Sequence, residues 1–172
     1  MRRFLAAVPL FLLVCCVAPE PMPGPKPQIE SPPPPPPPPP SADWRDMPLT
    51  PGRWTYRAEA TGSAASFGVA PAASFTIACE AATRTITLAR RSAAMAGDVG
   101  AIAFTTSTGS KRYPGAMNAT RDMLTARTPA ADPFLDQIAF SRGRFLAGIA
   151  GQESLVVPAW PEFARVVEDC RR

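Results

Sequence analysis

The 172-residue chain contains no histidine. That removes the commonest general base and the commonest metal ligand together. No serine sits in a nucleophile elbow, so hydrolysis by a triad is unsupported. Lysine is scarce as well, with Lys26 and Lys111 alone, so the net charge of +4 is carried almost entirely by arginine. The basic residues are dispersed and form no run with interleaved aromatics, which argues against a nucleic-acid groove. Long apolar runs are also missing. The one that starts at Phe4 ends by Ala18, short of the ~20 residues a spanning helix needs. No pattern of metal ligands or cofactor-binding residues stands out, and no catalytic residues are assigned.

What is present begins with an address. Met1-Arg2-Arg3 followed by Phe4–Val14 is a positive segment leading into an apolar one of signal-peptide length, giving a signal region over residues 1–18. Cleavage after Ala18 would place Pro19 first in the mature chain, which general signal peptidases tolerate poorly. Leu13-Val14-Cys15-Cys16 resembles the lipobox of bacterial lipoproteins, with Cys16 as the acyl acceptor and Cys15 where Gly, Ala or Ser is usual. Cys15 as acceptor and simple secretion remain the alternatives. Val17 stands where inner-membrane lipoproteins carry Asp, so the resemblance implies export to the periplasm and anchoring at the outer membrane.

Most of the 23 prolines fall between Pro19 and Pro40, ending in the unbroken run Pro32–Pro40. Proline lacks the N–H and fixes φ, so residues 19–43 are expected to form a polyproline II tether. At ~3.1 Å per residue the unbroken run spans roughly 28 Å.

Residues 44–172 are expected to form one β-rich domain, large enough for its own core. Gly52–Glu59 alternates large apolar and polar residues, as a half-buried strand does. Ser66–Val69, Ser74–Cys79, Thr83–Arg90, Ala101–Thr106, Asn118–Ala126, Gly143–Ile149 and Ser154–Val157 bring the count to about eight strands, with a hairpin connection at Glu80-Ala81-Ala82. Two short helices are expected. One starts at Asp132-Pro133, an N-cap with proline at the first helical position. The other starts at Trp160-Pro161 and repeats Phe163, Val166, Val167 and Cys170 at helical spacing. The fold class is mainly β, a small β-sandwich or flattened barrel with two short helices, with α+β as the alternative.

Cys79 and Cys170 are the cysteines left in this domain. Each falls on the apolar face of its element, and an exported compartment is oxidising, so a disulfide between them is expected. Ser141-Arg142-Gly143-Arg144 is the most distinctive polar cluster, and Arg142, Gly143 and Arg144 could form an anion-binding turn. The bland alternative is a helix exit whose arginines pair with Asp132, Asp136 or a last-turn carbonyl. Asp132 and Asp136 read as a helix cap and a first-turn acid. Trp54, Tyr56 and Trp160 could line a glycan surface, though aromatics at element starts more often serve a core.

The stretch Asp132–Phe145, with Val157–Glu162, Arg165–Arg171 and the strand after Cys79, resembles small envelope proteins of sphingomonad-type alphaproteobacteria. A fainter similarity links the domain to the invasion-associated locus B proteins, periplasmic β domains with cysteines near strands. These resemblances imply an envelope address and assign no activity. The expected role is a non-catalytic binding or structural module, its partners the membrane, through the lipid anchor, and an envelope protein or peptidoglycan. A carboxylate-based envelope hydrolase and an inhibitor or assembly accessory are the rival readings.

Overall fold

The alternation at Arg53–Glu59 forms the first strand, β1, with Trp54 buried and Arg53, Thr55 and Arg57 exposed. In a computed structural model, residues 43–92 and 98–172 are described. The signal region, Cys15, Cys16 and residues 19–42 of the tether lie outside the described residues. Contacts along the chain separate Met1–Pro39 from Pro40–Arg172, and every described residue belongs to the second unit.

Eight further strands follow: β2 (Gly62–Val69), β3 (Ala72–Glu80), β4 (Thr85–Arg91), β5 (Val99–Thr105), β6 (Ser110–Met117), β7 (Met123–Pro129), β8 (Arg144–Gly148) and β9 (Leu155–Pro158). Helix α1 (Phe134–Ala139) lies between β7 and β8, and α2 (Pro161–Arg171) ends the chain. The strands form one antiparallel sheet in the order β1-β2-β3-β4-β7-β6-β5-β8-β9. The sheet curls into a half-barrel, and its two ends are drawn together. Thr50 N–H donates to the Val156 carbonyl at 2.9 Å, and Val156 N–H returns a bond to Thr50 Oγ1. Trp54 Nε1–H donates to the Pro158 carbonyl at 2.9 Å. The fold is mainly β, as expected of a small sandwich or flattened barrel: one nine-stranded antiparallel sheet, curled, with two short helices.

Nine strands form where about eight were expected, and the differences have local causes. β6 contains Pro114 and Gly115, which weaken a strand signal. It pairs with β7 only over Gly115–Met117, so Pro114 sits where the strand is an edge on that side, the place proline is tolerated. β2 begins at Gly62 rather than Ser66, because its small residues Ser63, Ala64 and Ala65 pair with β1 and β3 on either side. β7 begins at Met123 rather than Asn118. The Asn118 side chain accepts from Asp122 N–H and Met123 N–H and holds a turn in which Arg121 takes φ +55°; short polar side chains compete with the ladder in this way.

The concave side is filled by aromatic rings in contact. Trp54 meets Phe67, Phe75 and Phe163; Phe75 meets Phe104 and Phe145; Phe104 meets Tyr113, which meets Phe134. Phe67, Phe75, Phe104, Phe145 and Phe163 are fully buried, each worth roughly 1.5–3 kcal/mol of transfer free energy. Helix α2 supplies Phe163, Val166, Val167 and Cys170 to this core, at the spacing the sequence predicts. Cys79 on β3 and Cys170 on α2 form a disulfide with Cα atoms 5.4 Å apart. Among the described residues no helix is long and apolar enough to cross a membrane.

Candidate functional site

The packed interior leaves the exterior to supply a site. The outer face of β1 carries Arg53, Thr55 and Arg57, because Trp54 and Tyr56 between them turn inward. Register places Arg53 opposite Gly68, Thr55 opposite Ser66 and Arg57 opposite Ala64 on β2. The arginines therefore stand beside a floor of small residues. A depression of about 230 Å³ lies there, lined by the two arginines, Thr55, Ser66, Gly68 and the β2–β3 turn at Ala70-Pro71. A second hollow adjoins it along Gly52 and Val69, and Val69 is 61% exposed.

Glycine keeps this trough open. Gly68 takes φ +154°, and a Cβ there would lie 2.7 Å from the Ala72 carbonyl oxygen. One on Gly52 would lie 2.8 Å from Gly68 Cα, so a side chain at either position would force the backbones apart.

The charge in the trough is available. Arg53 has no ion pair among the described residues. Arg57 meets only Glu59, at 3.3 Å with both side chains exposed, a pair worth at most about 1 kcal/mol. Arg91 on β4 is already engaged, its Nε donating to the Ala73 carbonyl and its Nη1 3.5 Å from Asp122.

The other arginine clusters are spent on structure. In the Arg142-Gly143-Arg144 turn, Arg142 N–H donates to Ser107 Oγ and Ser107 N–H donates to Ser141 Oγ. Arg144 Nη1 donates to the Met47 carbonyl. Gly143, at φ +74°, supplies the left-handed residue of the helix exit, and its carbonyl accepts from Ala159 N–H. The structure thus brings the three residues together in a turn whose backbone donor at Arg142 is already occupied, leaving the exposed Arg142 side chain. The pairings with Asp132 or Asp136 offered by the bland alternative do not form, and the carbonyl that Arg144 meets belongs to Met47 rather than to the last turn of α1. A larger hollow of about 450 Å³ lies beside Thr83, Arg84, Pro133 and Arg171. Its cations are taken: Arg84 by the Arg172 carbonyl, and Arg171 by Asp136 at 2.7 and 3.1 Å and by the Ala130 carbonyl.

Asp132 is the most constrained acid. Its side chain is 7% exposed and accepts from Lys111 Nζ at 2.6 Å, Tyr113 Oη, Thr128 Oγ1 and the Phe134 N–H. Burial opposes its charge, but Lys111, the Phe134 N–H and the two hydroxyls outweigh that and hold the carboxyl at about 2. Burial, with Asp132 beside it, pushes the Tyr113 hydroxyl well above its ordinary range. Asp132 thus caps α1, as expected, and also ties β6 and β7 to it. Asp136 holds Arg171.

Of the aromatic candidates, Trp54 is buried, Tyr56 Oη donates to Asp169 beneath the Arg165 guanidinium, and Trp160 is 46% exposed. The three form no shared surface in the aromatic contacts observed. Sequence reasoning saw the β1 alternation but followed its inward side. The signal for the trough was the outward set Arg53, Thr55 and Arg57 beside a glycine- and alanine-rich strand.

Comparison of the chain with protein-family models, with curated proteins and with solved structures returned no match.

Proposed function

We propose that the chain is an exported, non-catalytic binding module of the cell envelope, and that the Arg53–Arg57 trough holds an acidic partner. One observation carries this reading: two guanidiniums rim a depression whose floor is glycine, serine and alanine, and Arg53 has no carboxylate partner among the described residues. Partly desolvated guanidinium–carboxylate contacts are the strong class of charged hydrogen bond. The acidic partner is an envelope protein or a carboxylate-bearing peptidoglycan segment.

The address rests on residues 1–18, with acylation at Cys16 and an outer-membrane destination following from the lipobox resemblance. The proline-rich tether then holds the domain off the membrane surface. The resemblance to envelope proteins of sphingomonad-type bacteria supports the same address. Labelled palmitate should enter the wild-type chain and be lost in Cys16→Ser; incorporation that survives this change contradicts the anchor.

Photo-crosslinking in cells tests the trough. A crosslinker at position 55 should give a discrete adduct that disappears when Arg53 and Arg57 are both changed to Glu. A crosslinker at position 142 should not give that adduct. An adduct indifferent to the charge reversal, or shared by both positions, contradicts the reading.

A further inference from the structure

The strand that carries the trough is also the free edge of the sheet. Among the described residues, β1 has β2 on one side and no strand on the other. In an antiparallel pair alternate residues turn their N–H and C=O groups away from the neighbour. Among the described residues, nothing beyond β2 bonds to the backbone of Arg53–Glu59. The opposite end of the sheet differs, because Thr50 takes both the carbonyl and the N–H of Val156 on β9. A seven-residue edge with open backbone groups is a template for one more strand.

We infer that β1 binds by strand addition, pairing with an extended segment of another chain that bears carboxylates on alternate residues. The inference rests on the trough being a binding surface and names how the partner is held. Charge selects the occupant. An antiparallel strand centred on Thr55 sets the residues two before and two after its own centre opposite Arg57 and Arg53. Carboxylates there meet both guanidiniums, and the one facing Arg57 competes only with exposed Glu59.

A second copy of β1 in that register would set Arg53 against Arg57, and like charges directly opposite one another repel. The chain's own tether is excluded by chemistry: its longest proline-free run over residues 19–40 is Gln28-Ile29-Glu30-Ser31, and proline has no N–H to give a ladder. The arginines thus admit an acidic strand and, in that register, turn away a second copy of β1.

The test uses the full chain and three synthetic peptides of nine residues. The first alternates Glu with Thr or Val; the second replaces its Glu by Lys; the third keeps Glu but carries N-methyl groups on the backbone amides that would face β1. Strand addition predicts that the first binds, that the second does not, and that N-methylation weakens binding at least tenfold. Changing Arg53 and Arg57 to Glu, both exposed, should weaken the first peptide at least tenfold while leaving the melting temperature unchanged. Equal binding of the methylated and unmethylated acidic peptides, still lost in the charge-reversed chain, would overturn strand addition while leaving the trough as a binding surface. Failure of both acidic peptides to bind would overturn both.

Discussion

The indole N–H of Trp54 reaches the carbonyl oxygen of Pro158 at 2.9 Å, joining the first strand to the last across 104 residues of sequence. The same ring contacts Phe67, Phe75 and Phe163. One side chain therefore both closes the half-barrel and anchors its core. Trp54→Phe keeps most of the packing and removes one of two hydrogen bonds on the Pro158 carbonyl, which still accepts from Trp160 N–H at 3.0 Å, costing about 0.5–1.5 kcal/mol. Trp54→Ala should cost about 3–5 kcal/mol. Denaturant titration measures both, and a Trp54→Phe variant as stable as the wild type would remove the hydrogen bond from the account.

The Cys79–Cys170 bridge closes a loop of 91 residues, for which chain entropy gives about 4–5 kcal/mol. Reduction, or Cys170→Ala, should lower stability by about 2–5 kcal/mol. The eleven-residue α2 is too short to persist without tertiary contacts, so its amides should lose exchange protection first. Two alkylatable thiols in the unreduced mature domain would contradict the bridge.

Acid should act through Asp132. Its folded value lies near 2, below the ordinary carboxylate value of 3.8. A depressed carboxyl stabilises the fold above its unfolded value and loses that contribution as pH falls through the folded one. About 2 kcal/mol should therefore disappear between roughly pH 4 and pH 2. Asp132→Asn should flatten that part of the stability–pH curve. A variant as acid-sensitive as the wild type there would assign the effect to other groups.

Arg90 presents the opposite case. It is 3% exposed, its Nη2 donates to the Glu153 carbonyl, and its Nε and Nη1 have no acceptor among the described residues. Burial pulls its pKa down, with Glu153 opposing. Replacing a poorly paired buried charge by an apolar chain of similar volume is often neutral or stabilising. Arg90→Met should leave stability unchanged or raise it by about 1–2 kcal/mol, and a loss above ~2 kcal/mol on thermal unfolding would show that the guanidinium is better compensated.

The β-rich class, both helices and the cysteine pair were legible because each had a local signal: period-2 alternation, Pro161 opening a 3.6-residue repeat, and sulfurs on two apolar faces. β6 was hidden by Pro114 and Gly115, and half of β2 by a run of small residues whose strand conformation comes from its neighbours. The trough was invisible for a related reason. It joins β1 to a floor on β2 and to a turn at Pro71, and the β1–β2–β3 register that assembles them comes from pairing rather than from any one segment. The Arg142–Arg144 cluster was conspicuous in sequence because its residues are adjacent, yet its turn is largely occupied in holding the chain where it leaves α1.

Amide chemical-shift mapping of the ¹⁵N-labelled full chain, titrated with the alternating-Glu peptide, tests the central claim most directly. The account predicts saturable shifts confined to Arg53–Glu59, the facing residues Gly62–Gly68 and the trough residues Ala70–Ala73, absent when Arg53 and Arg57 are both Glu. Shifts centred on Arg142–Arg144 or on the Arg84–Arg171 hollow, or no shifts at all, would contradict it.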